Sequence, residues 1–123
     1  MPGAPGKNPL VVATFSANSQ HFSSTPTRRR KRVLCYGHYD VISANDGEKW
    51  TFDPFVMKGK NGWVYGRGVS DNKGPMLAIA AAAADLRAAQ ALEIDLVMVI
   101  EGEEETGSAG FQDAIKDNLV SLS

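Results

Sequence analysis

The sequence predicts an α/β domain with a largely parallel central sheet flanked by helices, on three observations. Apolar runs of strand length occur at residues 10–15, 33–36 and 94–100. The last, Ile94-Asp95-Leu96-Val97-Met98-Val99-Ile100, is almost continuously apolar, as in a strand buried on both faces. The element order strand, strand, hairpin, helix, strand, helix fits an α/β architecture.

Residues 1–9 contain Pro2, Gly3, Pro5, Gly6 and Pro9 and are expected to be disordered, leaving 10–123 as the folded part. Leu10-Val11-Val12-Ala13-Thr14-Phe15 is the first strand. Residues 16–27, rich in Ser, Asn, Thr and Pro, read as a surface loop; His21 within it has no acidic or histidine neighbour at ligand spacing and is read as solvated. Arg28-Arg29-Arg30-Lys31-Arg32 reads as a nuclear-import or anion-binding patch or as a solvated basic loop end. Because it abuts a strand directly, the second reading is preferred.

Val33-Leu34-Cys35-Tyr36 has the bias of a buried strand. Gly37 interrupts it, where a strand leaves its sheet or the backbone approaches something closely. Trp50-Thr51-Phe52-Asp53-Pro54-Phe55 is aromatic enough to wall a pocket or to cover the sheet. Asn61-Gly62 between two apolar runs signals a hairpin. The glycine-rich stretch 66–74 lacks both the Gly-Lys-Ser/Thr ending of a P-loop and Gly-x-Gly-x-x-Gly spacing, so it is not read as a phosphate loop. Pro75 suits the first turn of a helix that continues over 76–91. Alanine on most faces of that helix fits close packing against a sheet, or burial on two sides. Residues 111–119 return to helical spacing through Phe111, Ala114, Ile115 and Leu119.

Bulk properties bound the function. The chain has 123 residues, 43% of them apolar, enough for one domain with a core. A formal net charge of −1 excludes a general nucleic-acid binder. The longest apolar stretch, 76–84, is too short to span a membrane, and the N-terminus lacks the apolar core of a signal peptide. The single cysteine, Cys35, excludes an intramolecular disulfide and a cysteine-based zinc site. A cytoplasmic protein is expected.

The chemistry gathers at strand ends. His38 and Asp40 lie two residues apart in extended backbone and so project the same way. A carboxylate beside an imidazole fixes its tautomer, as behind a metal-binding histidine, but on these residues alone a hydrogen-bonded structural histidine is the preferred reading. Asp71 lies in the glycine-rich loop, and Glu101, Glu103, Glu104 and Glu105 follow the 94–100 strand. In α/β sheets ligands collect beyond the carboxyl ends of strands, so these groups can meet despite their separation. One histidine with several carboxylates is a nitrogen and oxygen donor set suited to zinc, manganese or cobalt. A solvated acidic turn is the alternative.

Three segments carry a resemblance. Gly37-His38-Tyr39-Asp40-Val41, Tyr65-Gly66-Arg67-Gly68-Val69-Ser70-Asp71-Asn72-Lys73-Gly74 and Glu101-Gly102-Glu103-Glu104-Glu105-Thr106-Gly107-Ser108 resemble, in order, the consecutive signatures of the M20 metallopeptidases. That family holds dipeptidases, carnosinases, aminoacylases and carboxypeptidases. The similarity runs from about Val33 to the C-terminus and includes Trp50 and Asp53-Pro54-Phe55. Within the family the wording is most similar to the peptidase-like subunits of fungal glutathione-degrading complexes, which work with a glutamine-amidotransferase-like partner.

The resemblance implies a site with two divalent metal ions, zinc first, with manganese or cobalt as alternatives. It makes His38 a ligand of one metal, Glu105 a ligand of the other, and Asp71 the bridge between them, followed by a cis bond to Asn72. Asp40 becomes the carboxylate that orients His38, and Glu104 the general base; a one-residue slip would place the glutamate pair at Glu103 and Glu104. The implied reaction is hydrolysis of a peptide or amide bond in a dipeptide or small peptide by a metal-activated water. The alternative is an accessory subunit binding a glutamine-amidotransferase-like partner. The family's remaining two ligands and its lid domain have no counterpart before Ser123. The chain is therefore expected to be the N-terminal part of a catalytic domain, with little activity alone, from a family whose full-length members are often homodimeric.

Overall fold

The computed structural model describes residues 3, 5–18, 31–45 and 47–118. His21 and three members of the basic run, Arg28, Arg29 and Arg30, lie outside the described residues.

The most apolar run in the sequence becomes the centre of the sheet. Strand β5 (Asp95–Glu101) lies between β1 (Val11–Phe15) and β2 (Arg32–His38), giving the order β1-β5-β2. β1 pairs with it antiparallel, Val11 opposite Ile100, and β2 pairs parallel, Arg32 opposite Asp95 and His38 opposite Glu101. The sheet is thus mixed, and the parallel pair carries the histidine. Parallel register brings the carboxyl ends of β2 and β5 side by side, which puts His38 next to the acidic turn.

Between β2 and β5 come a hairpin and a helix. β3 (Lys58–Lys60) and β4 (Trp63–Tyr65) pair antiparallel around Asn61 and Gly62, whose φ angles of 52° and 80° are those of a two-residue turn of the primed type. The aromatics Trp50 and Phe52 cover this hairpin region. Phe52 meets Tyr65 edge to face at 5.2 Å with Lys58 Nζ 4.6 Å above its ring, and Trp50 stacks under Arg67. A wide-turn segment, Val69–Lys73, then leads into α1 (Gly74–Ala88), with Pro75 in its first turn.

α1 packs on one face of the sheet. Met76 and Ala83 meet Leu96 and Met98 in the core, with Ala13, Phe15, Cys35, Ile79, Ala80 and Ile100 packed around them. Alanine permits this close approach. It does not produce a helix buried on two sides, because Leu77 is 71% and Leu86 46% exposed. The apolar run in β2 likewise departs from the buried strand expected of it: Leu34 is 63% exposed and Tyr36 48%. β2 is an edge of this sheet, so composition that suits a central strand is only half covered. Residues 5–9 form neither helix nor strand, yet Lys7, Asn8 and Pro9 are hydrogen-bonded to the rest of the chain. No helix among the described residues is long and apolar enough to cross a membrane.

Candidate metal centre

His38 is the last residue of β2 and is only 5% exposed. Its position depends on Gly37, where any Cβ would collide with Met76 Sδ and Asn72 Oδ1. The strand therefore continues straight through the glycine, whose role is close approach and not a turn. His38 N donates to Asn72 Oδ1 at 3.2 Å, which ties the strand end to the Asp71 segment. The peptide bond between Asp71 and Asn72 is cis.

Both ring nitrogens of His38 face carboxylates. Nδ1 lies 3.3 Å from Asp40 Oδ1, as alternation along extended backbone predicts. Nε2 lies 2.9 Å from Asp71 Oδ1 and 3.8 Å from Glu104 Oε2. Burial is the largest single influence on this ring and opposes its charged form. The hydrogen bond to Asp71, the charges of Glu104 and Asp71 and the contact with Asp40 together outweigh burial and raise the imidazole pKa above its ordinary value. A spot that concentrates negative charge on a buried imidazole edge favours any cation.

The acidic turn sorts its four glutamates. Glu101, at the end of β5, is 1% exposed, and its Oε1 accepts from Tyr36 Oη and from Ser108 Oγ, the latter at 2.9 Å. Glu103 points toward the N-terminal segment, where Lys7 and Asn8 hold it. Glu104 and Glu105 begin a short 3-10 turn, Glu104–Thr106. Glu105 N donates to Asp40 Oδ2 at 2.9 Å, so the turn is anchored on the carboxylate that faces His38.

One ligand atom from each of His38, Asp71 and Glu105 lies within 4.8 Å of the others. One ion with bonds of about 2.0–2.2 Å spans at most about 4.4 Å between two of its donors, so a set this wide suits donors shared between two neighbouring ions as well as a single one. The donors, one imidazole and two carboxylates without a thiolate, fit zinc, manganese or cobalt. The structure brings Asp40 and Glu104 to the same cluster. Three contributors carried no sequence signal of their own: Lys7, Asn8 and Tyr36, which engage the other glutamates. Asn72, which receives His38 N, was named only through the resemblance, as the residue after Asp71.

The family model for peptidase family M20/M25/M40 matches residues 34–121. Over 107 residues the chain is 44% identical to the probable di- and tripeptidase DUG2 of Saccharomyces cerevisiae, covering 87% of this chain and 12% of that protein. It is 40% identical over 98 residues to the Cys-Gly metallodipeptidase DUG1 of the same yeast, covering 77% and 20%. The M20 family metallo-carboxypeptidase Sso-CP2 from Sulfolobus solfataricus superposes with a TM-score of 0.76 at 31% identity, over 94% of this chain and 24% of that one. The chain thus spans a quarter or less of the length of each of these three.

Proposed function

The chain belongs to peptidase family M20/M25/M40, and from that premise we propose that it supplies His38, Asp71 and Glu105 as metal ligands for hydrolysis of a peptide bond in a dipeptide or small peptide. The observation that carries the proposal is the convergence of those three ligand atoms within 4.8 Å, from three separate segments, at the carboxyl ends of a parallel strand pair. The M20/M25/M40 match and the similarity to the Cys-Gly metallodipeptidase support the substrate class. A Cys-Gly dipeptide, of the kind released in glutathione breakdown, is the first candidate.

In this reading these three residues would hold two metal ions, Asp71 being shared, His38 completing one and Glu105 the other. Zinc bound there would supply an acidified water and a Lewis acid for the scissile carbonyl. Glu104 takes the proton of the attacking water and returns it to the leaving amine. Its carboxylate suits that task because it is on the His38 side of the turn, 3.8 Å from Nε2, and is still 42% exposed. Asp40 keeps Nδ1 of His38 engaged, which presents Nε2 to the metal side. Glu103, already occupied by Lys7 and Asn8, is left outside the pair, which favours Glu104 and Glu105 over the alternative register.

Calorimetric titration of the chain with zinc or manganese tests the proposal. Wild type is expected to bind, and Asp71→Asn to lose that binding while keeping its circular dichroism spectrum. A stably folded wild type that binds neither metal would overturn it.

A further inference from the structure

The resemblance names the glutamates of this turn but offers no reason why two of four neighbouring acids face the histidine and two do not. The structure supplies one for Glu103. Asn8 Nδ2 donates to Gly102 O at 2.8 Å and to Glu103 Oε1 at 3.0 Å, and Asn8 N donates to the same oxygen at 3.0 Å. Lys7 Nζ reaches Glu103 Oε2 at 3.3 Å. Both carboxylate oxygens of Glu103 are thereby engaged by a segment more than ninety positions earlier in the chain.

The same segment also grips the histidine strand. Pro9 O accepts from Tyr39 Oη at 2.8 Å, and Tyr39 stands between His38 and Asp40. Its ring lies so close to Gly102 that any Cβ there would collide with it. Residues 7–9 thus touch the acidic turn and the end of β2 at once.

We propose that Asn8, assisted by Lys7, is a positioning residue: it holds Gly102 and Glu103 against the N-terminal segment and so turns Glu104 and Glu105 toward His38 and Asp71. The inference rests on the metal-centre reading above. The chemistry requires an amide at position 8. The groups it faces, a carbonyl and a carboxylate, are both acceptors, and the asparagine NH2 offers two donors. An aspartate of the same shape would set acceptor against acceptor and charge against charge. In the absence of these bonds the turn is free to present Glu103, which differs from Glu104 by a single residue of register.

The test uses the whole chain, titrated with zinc and loaded separately with cobalt for its visible absorption. Asn8→Asp is expected to weaken zinc binding about 10- to 100-fold, as loss of an outer hydrogen-bond partner does, and to change the cobalt absorption band while the circular dichroism spectrum is retained. Glu103→Gln, which keeps an oxygen for the Asn8 donors, is expected to bind zinc within about threefold of wild type, with the same cobalt band, since removing the Glu103 charge leaves an acceptor for both Asn8 hydrogen bonds. This second variant decides the matter if Asn8→Asp does not fold. Glu103→Gln losing zinc as completely as Asp71→Asn would make Glu103 a ligand and overturn the proposal. A folded Asn8→Asp with wild-type affinity and spectrum would also overturn it. Wild type without zinc binding would instead remove the metal-centre reading, and the positioning role of Asn8 with it.

Discussion

Glu105 N donates to Asp40 Oδ2 at 2.9 Å while Asp40 Oδ1 sits 3.3 Å from His38 Nδ1, so one carboxylate holds the histidine ring and the acidic turn together. Asp40 side-chain exposure is only 15%, which keeps water from replacing either partner. Removing it frees the imidazole plane and the backbone beneath Glu105 at once. Asp40→Ala is expected to lower zinc affinity about 10- to 100-fold. Competition titration against a coloured chelator measures this. An unchanged affinity in a folded variant would mean that Asp40 positions neither ligand.

Gly37 offers a second test, from the opposite side of the histidine. A methyl group there meets Met76 Sδ and Asn72 Oδ1. The methionine can move aside, but Asn72 accepts the backbone N–H of His38 and follows Asp71 directly. Gly37→Ala is expected to cost about 1–3 kcal/mol of stability, as overpacking does, read as a lower urea midpoint. It is also expected to weaken metal binding, because the displaced residue adjoins Asp71, a proposed ligand. Wild-type values for both would show that the contact relaxes freely.

How much of this was legible in the sequence depends on the range of the interactions. Residues 94–100 announced a buried strand, since every position from Asp95 to Val99 is buried on both faces, and Asn61-Gly62 announced its hairpin through local backbone preference alone. His38 and Asp40 were readable as a pair because alternation is local. Leu34 and Tyr36 misled, because burial of a strand depends on which neighbours it has in the sheet and not on its composition. Asn8 could not be read at all. Its partners lie more than ninety residues away, and a short segment rich in proline and glycine carries no periodicity that would announce them.

Tyr36 gives the fold an alkaline limit. Tyr36 is 48% exposed overall, but its hydroxyl is part-buried against Glu101. Loss of water there chiefly, then the hydrogen bond to Glu101 and the charge of that carboxylate, push the phenol up to about 12, with Ser108 acting the other way. The folded chain therefore holds this proton more tightly than the unfolded chain, whose ordinary value is 10.0. Stability from this source is complete below the unfolded value and is lost as pH rises through the folded one. Urea midpoints are expected to fall over that window in wild type and to fall less in Tyr36→Phe. At neutral pH the same variant leaves Glu101 Oε1 with Ser108 as its donor and is expected to cost about 1–3 kcal/mol. An identical alkaline slope in the two proteins would detach Tyr36 from the effect.

Met98 separates fold from site. It is 1% exposed on β5, with Ala13 and Cys35 beside it in the two neighbouring strands and Met76 and Ala83 of α1 in the same core. Met98→Ala removes contacts on a face that cannot collapse without moving the helix, so a loss of about 2–5 kcal/mol is expected. Leu34→Ala, in the adjacent edge strand, deletes an equally apolar side chain that is already 63% exposed and is expected to stay within about 0.5 kcal/mol. The contrast is measured by urea unfolding of the two variants side by side. Zinc affinity of either folded variant is expected to match wild type, since the polar partners of His38 and Glu105 are Asn72, Asp40, Asp71 and Glu104. Equal destabilisation of the two would mean that the outer face of β2 is covered in solution, and that the sheet edge at Leu34 is an interior position of a larger assembly.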